Sequence, residues 1–388
     1  MPETLLVKGQ GVIEVTLRTG QPSLALRLSA EGDDAAANAL WLTVDHEGAQ
    51  IRDEHGQIEA HRDHPAAGLD ADPACAYWLS LDSQNRRIRY GKGEVRLETQ
   101  WLEAVIPGPV GQRQEPGLWT FSLSRIHYEN VREAIVWRDP LAAPLPLLVV
   151  ASDAMTMDMA AMALATVPTN LAPEAQRLYE AICGESFTLN SPDFPNFTDA
   201  IEASIQDPNG WCHKTLAAKA NEFGEPDPEA TYLRITLGVN QGESPGVPFV
   251  LEIWPPGHRS PIHNHAGAHA VIRVLHGAIT VSLYPLLSTG HQTPFASQVF
   301  GKGSVTWISP RLNQTHKLHN SNLNGPTCMT IQCYAYGSSN DQSHYEYFDY
   351  IDNSGQSIQH FDPNSDMDFV AFKALMRQEW LVRQLAGG

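Results

Sequence analysis

The chain has 388 residues, 42% of them hydrophobic and 18% charged, which is the composition of a globular protein long enough for two domains. Its formal net charge of −18 argues against nucleic acid and anionic membrane surfaces as partners. No stretch approaches the ~18 apolar residues that a membrane-spanning helix requires. The start of the sequence lacks the pattern of a signal peptide, so we expect a cytoplasmic location. The five cysteines have no paired spacing and predict no disulfide framework.

Residues 1–155 carry the period-two alternation of β-strands and are expected to form an N-terminal domain. The candidate strands are residues 12–18, 23–28, 77–81, 87–90, 119–123 and 145–150. Short strands separated by Gly, Asp and Asn predict a β-sandwich or jelly roll. Residues 77–93 are weakly similar to the farnesoic acid O-methyltransferase-like accessory domains, which are β-sandwiches, and this similarity implies no mechanism.

A methionine-rich stretch at residues 155–162 predicts a linker over residues 156–171, followed by a second domain over residues 172–388. A helical block is expected first, because apolar residues recur at helical spacing in residues 172–182, 197–205 and 211–220. Strands are then predicted at residues 232–237, 249–254, 270–275, 278–284, 304–308 and 329–336, and an amphipathic helix at residues 366–385. Such strands can close into a barrel with a mouth where inward-facing side chains converge.

Three histidines of the second domain have the spacing of a metal site. His263 and His265, two residues apart on a strand, would project from the same face. His316, about fifty residues later, can complete a site of three imidazole nitrogens with open positions for substrate. His319 competes with His316 for the third position, and only His316 is followed at the fourth residue by asparagine.

This spacing resembles the two metal motifs of the cupin barrels. The first motif, G-x5-H-x-H-x4-E-x6-G, is matched at Gly257, both histidines and Gly277, whereas Ala270 stands in place of the glutamate ligand. The second motif ends in H-x3-N and is matched at His316 and Asn320. The resemblance implies a mainly β fold with a C-terminal cupin jelly roll. The alanine predicts a metal held by three neutral imidazoles without a carboxylate.

From about residue 196 to residue 350 the chain resembles the cysteine dioxygenase family of thiol dioxygenases. Tyr232 and Arg234 match the Tyr-x-Arg strand of that family, whose arginine holds the substrate carboxylate. Trp254 begins a segment that resembles the metal loop, and Tyr334 falls at the position of the active-site tyrosine. The resemblance implies that His263, His265 and His316 bind iron(II), that Tyr334 and Arg234 are catalytic, and that Tyr232, Trp254 and Gln332 join Arg234 in binding substrate.

Two positions depart from the family. Animal enzymes have a cysteine at the position of Ala270 that forms a thioether with the tyrosine, so we expect Tyr334 to be unmodified here, as in bacterial members. Gln332 stands where the family has a histidine that hydrogen-bonds the tyrosine hydroxyl. A glutamine can still make that bond, although the Ser-His-Tyr relay is interrupted.

The function that this resemblance implies is Fe(II)-dependent oxidation of a small carboxylate thiol, such as cysteine, to its sulfinate with O2. Two alternatives stay open. A cupin with three histidines could cleave or isomerise another small organic acid, or it could bind a ligand without catalysis. The identity of the thiol, the role of the N-terminal domain and the oligomeric state are also left open by the sequence.

Overall fold

The computed structural model describes residues 3–32, 38–73, 75–108, 118–185, 187–238, 249–265, 267–335, 348–361 and 363–387. The chain divides into two compact units, Met1–Pro144 and Leu145–Gly388. The expected linker at residues 156–171 stays a prediction. Within the described ranges, no helix combines the length and the apolar character needed to cross a bilayer.

The N-terminal unit consists of two five-stranded antiparallel sheets. Its strands are β1 (Gln10–Leu17), β2 (Leu24–Ala30), β3 (Ala39–Val44), β4 (Ala49–Asp53), β5 (Glu59–Arg62), β6 (Ala76–Asp82), β7 (Arg87–Lys92), β8 (Gln100–Val105), β9 (Leu123–Glu129) and β10 (Val131–Trp137). One sheet has the order β10-β1-β6-β7-β8 and the other β5-β4-β3-β2-β9. The alternation predicted the core correctly, since Leu24, Leu26 and Leu28 are all fully buried on one face of β2. The prediction of a β-sandwich is confirmed.

Two of the strands predicted within residues 1–155 are wrong. Residues 118–122 form a 3₁₀ turn, and the strand begins only at Leu123. Residues 145–150 are irregular apart from an isolated bridge at Val149, although the run is strongly apolar. Pro144 and Pro146 explain the second difference, because a proline has no N–H to donate to a sheet.

The C-terminal unit begins with helices and continues with strands. The helices are α1 (Met157–Ala161), α2 (Pro173–Ile182), α3 (Phe197–Gln206) and α4 (Trp211–Ala218), and a last helix, α5 (Phe369–Gly387), closes the unit. The strands are β11 (Leu233–Gly238), β12 (Phe249–Trp254), β13 (His269–His276), β14 (Ala278–Leu283), β15 (Ala296–Gly301), β16 (Val305–Ile308), β17 (His316–His319), β18 (Cys328–Ala335), β19 (Phe348–Ile351), β20 (Ile358–Phe361) and β21 (Met367–Asp368). The predicted helical block and C-terminal helix are confirmed to within a few residues.

These strands form a cupin-like jelly roll. A six-stranded sheet has the order β16-β13-β18-β12-β11-β21, and a three-stranded sheet has the order β15-β14-β17. Neighbouring strands are antiparallel except for β11 and β21. Gly277 forms the tight connection between β13 and β14 with a φ of 68°, and a Cβ there would meet the carbonyl oxygen of Thr327 at 2.8 Å. The main core cluster includes residues of both sheets, among them Val271, Val281 and Ile331.

Candidate metal centre

The backbone holds His263 and His316 directly opposite each other. His263 lies in the segment that follows β12, and this segment runs antiparallel to β17. The N–H of His263 donates to the carbonyl oxygen of His316 at 3.0 Å, and the N–H of His316 donates to that of His263 at 2.9 Å. Side chains of such a pair project from the same face. Their imidazole centroids are therefore only 4.6 Å apart.

His265 completes the cluster from the same loop. Its backbone N–H donates to the side-chain oxygen of Gln314 at 3.2 Å, which fixes the loop just before β17. One ring nitrogen from each of His263, His265 and His316 lies within 4.8 Å of the others. His265 and His316 are almost fully buried, whereas His263 is half-buried. The structure thus brings together the three histidines that the motif spacing selects.

Hydrogen bonds to the backbone leave ligand lone pairs inside the cluster. The Nδ1–H of His263 donates to the carbonyl oxygen of Pro261, and the Nδ1–H of His316 donates to that of Asn313, each at 3.1 Å. Each ring then presents an unprotonated Nε2, which is the arrangement common to histidines that bind metals. The Nε2 atoms of His265 and His316 face each other at 3.2 Å, and Nδ1 of His265 is buried without a hydrogen-bond partner. Since the Nε2 of His316 carries a lone pair, this close contact needs either a proton on the Nε2 of His265 or a cation between the two nitrogens, and the residues fit a bound metal ion.

The histidines are held in the neutral form that a metal requires. Burial lowers the pKa of His263 to about 4. Burial also lowers the pKa of His265 and His316 well below the ordinary value, and the neighbouring imidazoles lower both further. The positive charge of Arg234 adds to this effect at His263 and His265. A neutral imidazole is the ligating form, so the site is ready for a metal ion at neutral pH.

His319 lies outside the cluster. It follows His316 by three residues on β17, so its side chain points to the other face of the strand. Asn320, which ends the second motif, has a structural role: its Nδ2 donates to the carbonyl oxygens of Trp254 at 2.9 Å and Pro326 at 3.1 Å. This asparagine ties the end of β12 to the end of β17 and so supports the loop that carries the histidines.

A chain of four buried polar side chains lies on the inner face of the six-stranded sheet. The guanidinium of Arg234 donates to Oε1 of Glu252 at 2.9 Å. The other oxygen of Glu252 accepts from Nε2 of Gln332, and the amide oxygen of Gln332 accepts from the Tyr334 hydroxyl. None of the four residues is more than 4% exposed. The register of the sheet brings these side chains together. Arg234 pairs with Glu252 across β11 and β12, and residues 332 and 334 share one face of β18.

These four hydrogen-bonded side chains include one acid that can gain or lose a proton near neutral pH. Burial raises the pKa of Glu252 to about 7, an effect that the charge of Arg234 only partly offsets. Burial lowers the pKa of Arg234, but Glu252 and the neighbouring tyrosines outweigh this, and the net direction is upward. Burial raises the pKa of Tyr334, so its hydroxyl keeps its proton and can donate a hydrogen bond.

Tyr334 lies beside the histidines, and the thiol of its sequence neighbour is directed away from it. Its ring stacks on His265 with centroids 5.3 Å apart. Its partner across β13 and β18 is Ala270, which has no sulfur. The Sγ of Cys333 is directed to the other side of the sheet, towards the carbonyl oxygens of Leu178 and Val271. The geometry therefore offers no cysteine for a link to the tyrosine.

Tyr232 and Trp254 flank the chain of polar side chains on one side. Their rings stack with centroids 4.2 Å apart, and both are buried in the main core cluster. The indole Nε1 of Trp254 donates to Oγ1 of Thr330 at 3.3 Å. The contact of these two aromatic residues with a substrate stays a prediction.

Sequence reasoning missed two residues of this site. Glu252 is the single charged residue in the apolar strand β12, as Arg234 is in β11, and two opposite charges in adjacent apolar strands were a usable signal for a buried pair. Phe348 contacts His265 edge to face with centroids 4.4 Å apart. It lies about thirty residues beyond the second motif, and no pattern in the sequence pointed to it.

No protein-family model matches this chain. Among solved structures, it is similar to oxalate oxidase in complex with the substrate analogue glycolate, with 20% identity and a TM-score of 0.23 over 28% of this chain and 53% of that one, about half its length. It is also similar to the Cupin_2 domain of an XRE family transcriptional regulator from Enterobacter cloacae, with 14% identity and a TM-score of 0.22 over 27% of this chain and 97% of that one. A cupin superfamily protein from Desulfitobacterium hafniense DCB-2 shows 12% identity and a TM-score of 0.21, over 28% of this chain and 81% of that one. Similarities of this size carry no argument about chemistry, which has to come from the residues of the site.

Proposed function

We propose that the C-terminal unit is an iron(II)-dependent thiol dioxygenase that converts a small carboxylate thiol, such as cysteine, to its sulfinate with dioxygen. The observation that carries the proposal is the cluster of His263, His265 and His316, with Ala270 in place of a carboxylate ligand. Three neutral imidazoles leave a divalent ion with its full charge of +2. Such a centre favours an anionic thiolate as a further ligand.

The proposed reaction balances without a second substrate. A thiol, R–SH, and O2 give a sulfinic acid, R–SO2H, which ionises to the sulfinate and a proton. Two sulfur–oxygen bonds form, the oxygen–oxygen bond breaks, and four electrons pass from sulfur to oxygen. Bound iron(II) would supply the redox chemistry that lets dioxygen react with a thiolate. The thiol itself is the reductant, so no 2-oxoglutarate or external electron donor is needed.

The residues around the cluster have separate roles in this proposal. The carbonyl oxygens of Pro261 and Asn313 hold the proton on Nδ1 of His263 and His316, which keeps each Nε2 free as a ligand. The Tyr334 hydroxyl donates its single hydrogen to Gln332 in the free protein, and it would turn this hydrogen towards the reacting atoms once substrate is bound. Arg234 positions the substrate carboxylate near the histidines.

Metal reconstitution combined with oxygen uptake tests the proposal. The full chain would be stripped of metal and reloaded separately with iron(II), manganese(II), nickel(II) and zinc(II). Oxygen uptake would then be measured with cysteine, 3-mercaptopropionate and mercaptosuccinate. We expect uptake with the iron form alone and one sulfinate formed per O2 consumed.

The contrary results favour the two alternatives. Turnover of a small organic acid without oxygen uptake would indicate a cupin that cleaves or isomerises another substrate. Metal binding without turnover of any thiol or acid would indicate a ligand-binding protein. Either result would overturn the proposed dioxygenase activity.

A further inference from the structure

Arg234 already has a carboxylate partner inside the protein. Glu252 is its neighbour across β11 and β12, and the guanidinium donates to Oε1 of Glu252 at 2.9 Å. The two side chains are only 4% and 3% exposed, so solvent does not screen the pair. Wherever the pH lies above the pKa of Glu252, which burial raises to about 7, the positive charge that a substrate carboxylate would use is therefore neutralised before any substrate binds.

Glu252 is also fixed in place. Its second oxygen accepts from Nε2 of Gln332, so a movement away from Arg234 would break two hydrogen bonds in a buried site. Lys219, whose charge also acts on Glu252, does not replace Arg234, because it pairs with Asp366 at 3.1 Å and with Glu222 at 3.4 Å. A substrate carboxylate at Arg234 would thus be placed beside a second carboxylate. Two buried carboxylates that share one cation disfavour each other's charged form.

We propose that Glu252 is a specificity-determining residue that acts as an internal carboxylate for Arg234 and weakens the binding of thiols that carry their own carboxylate. Compared with a site in which Arg234 is free, the pair shifts preference towards thiols that are uncharged or carry an amine. This inference rests on the proposed thiol dioxygenase function and refines its substrate class.

The test compares two thiols that differ only in a carboxylate, cysteine and 2-aminoethanethiol. The full chain would be loaded with cobalt(II) and titrated with each thiol without oxygen, following the absorption of the metal–thiolate bond, at a pH above the Glu252 pKa of about 7 so that its carboxylate is charged. The variant is Glu252→Gln, which keeps the shape and removes the charge. The matched control is Glu202→Gln on α3, where the glutamate accepts hydrogen bonds from the N–H and hydroxyl of Thr327, both at 2.7 Å.

We expect Glu252→Gln to tighten cysteine binding by at least about tenfold, the lower end of the effect of a neighbouring like charge. Binding of 2-aminoethanethiol should change much less, and Glu202→Gln should change neither. Equal shifts for the two thiols, or weaker cysteine binding in Glu252→Gln, would overturn the proposal.

A double variant keeps the proposal testable if Glu252→Gln does not fold. Arg234→Met combined with Glu252→Met removes both charges, and buried pairs often tolerate such a replacement by apolar residues. Because the native pair has no net charge at this pH, where Glu252 is ionised, the ratio of cysteine to 2-aminoethanethiol affinity should stay close to that of the native protein. A large selective loss of cysteine binding would show that Glu252 does not offset the attraction between Arg234 and the substrate carboxylate, and would contradict the proposal.

Failure of this inference can be told apart from failure of the dioxygenase proposal. The titrations need no turnover, so a selective effect of Glu252→Gln without any thiol oxidation by the iron form would refute only the dioxygenase activity. Oxidation of thiols by the iron form with an unaltered selectivity in Glu252→Gln would refute only the role of Glu252.

Discussion

Each unit of the molecule buries an ion pair, and the two pairs lie in very different surroundings. In the N-terminal unit Lys92 pairs with Asp70 at 3.3 Å, with side chains 3% and 9% exposed. In the C-terminal unit Arg234 pairs with Glu252 at 2.9 Å and is buried to a similar degree. Burial and pairing alone therefore do not distinguish a site from a structural feature.

The neighbours of each pair make the distinction. Around Lys92 the polar groups are satisfied by the backbone: its ammonium also donates to the carbonyl oxygen of Ala66, and the Tyr90 hydroxyl donates to that of Ala67. Burial raises the pKa of the nearby Cys75 to about 12, so that thiol stays protonated and unreactive. Beside Arg234, three imidazoles converge, and the Nε2 atoms of His263 and His316 direct unprotonated lone pairs into the cluster. Convergent ligand lone pairs, and not buried charge, mark the candidate site.

The largest effect is expected when one of those lone pairs is removed. His316→Ala should abolish stoichiometric iron binding and reduce thiol oxidation by more than ~100-fold, since even the loss of outer partners of a metal site can cost that much. Metal content and oxygen uptake measure the two effects. His61→Ala on the exposed strand β5 is the matched control and should change neither. Full activity in His316→Ala would remove the basis of the metal assignment.

Breaking the N-terminal pair should affect stability and not chemistry. Lys92→Met leaves Asp70 buried without its cation, which typically costs about 3–5 kcal/mol in the free energy of unfolding. Urea denaturation would measure this loss, while the rate of thiol oxidation by the folded protein should stay unchanged. A specific loss of thiol oxidation in folded Lys92→Met would show that the Lys92–Asp70 pair also contributes to the chemistry, and would contradict its purely structural role.

Breaking the C-terminal pair should affect substrate binding. Arg234→Ala removes the cation and leaves the negative charge of Glu252, so the binding of a carboxylate thiol should weaken by ~2–4 kcal/mol, as for a buried charge pair that loses one partner. The Michaelis constant for each carboxylate thiol reports this loss. An unchanged constant for all of them would refute a role of Arg234 in substrate binding.

The pH dependence of stability should reveal the buried neutral histidines. The pKa of His263 is lowered from 6.5 to about 4, so the unfolded chain takes up a proton between these values that the folded, metal-free protein does not. Stability is therefore present above pH 6.5 and is lost as the pH falls towards 4, by about 3 kcal/mol for this residue. Denaturation of the metal-free protein across this range measures the loss, and His263→Gln should flatten it. An equal slope in the variant would contradict the assignment.

The smallest effect concerns the covalent structure of Tyr334. Because Ala270 lies opposite it and Cys333 is directed to the other face, no cysteine–tyrosine link should form. The intact mass of the purified protein should equal the mass of the sequence, and denaturing gels should show one band. A deficit of two hydrogens mapped to Tyr334 would refute this prediction.

The parts of the site that are local in sequence could be predicted, and the parts that depend on distant partners could not. The spacing of His263 and His265 and the asparagine after His316 selected the cluster, because strand geometry fixes which side chains share a face. Glu252 was not recognised as part of the site. Its pairing with Arg234 depends on the register between β11 and β12, and no local sequence pattern encodes that register.

Isotope labelling tests the central claim most directly. The iron-loaded chain would oxidise cysteine under dioxygen labelled with the heavy oxygen isotope, and the mass of the sulfinate would be measured. Because both oxygen atoms of one O2 are expected to enter the product, the labelled sulfinate should be about four mass units heavier than the unlabelled one, with the reacting groups held together in one site. Incorporation of a single label, an obligatory requirement for 2-oxoglutarate, or no oxygen consumption with any small thiol would contradict the proposed dioxygenase activity.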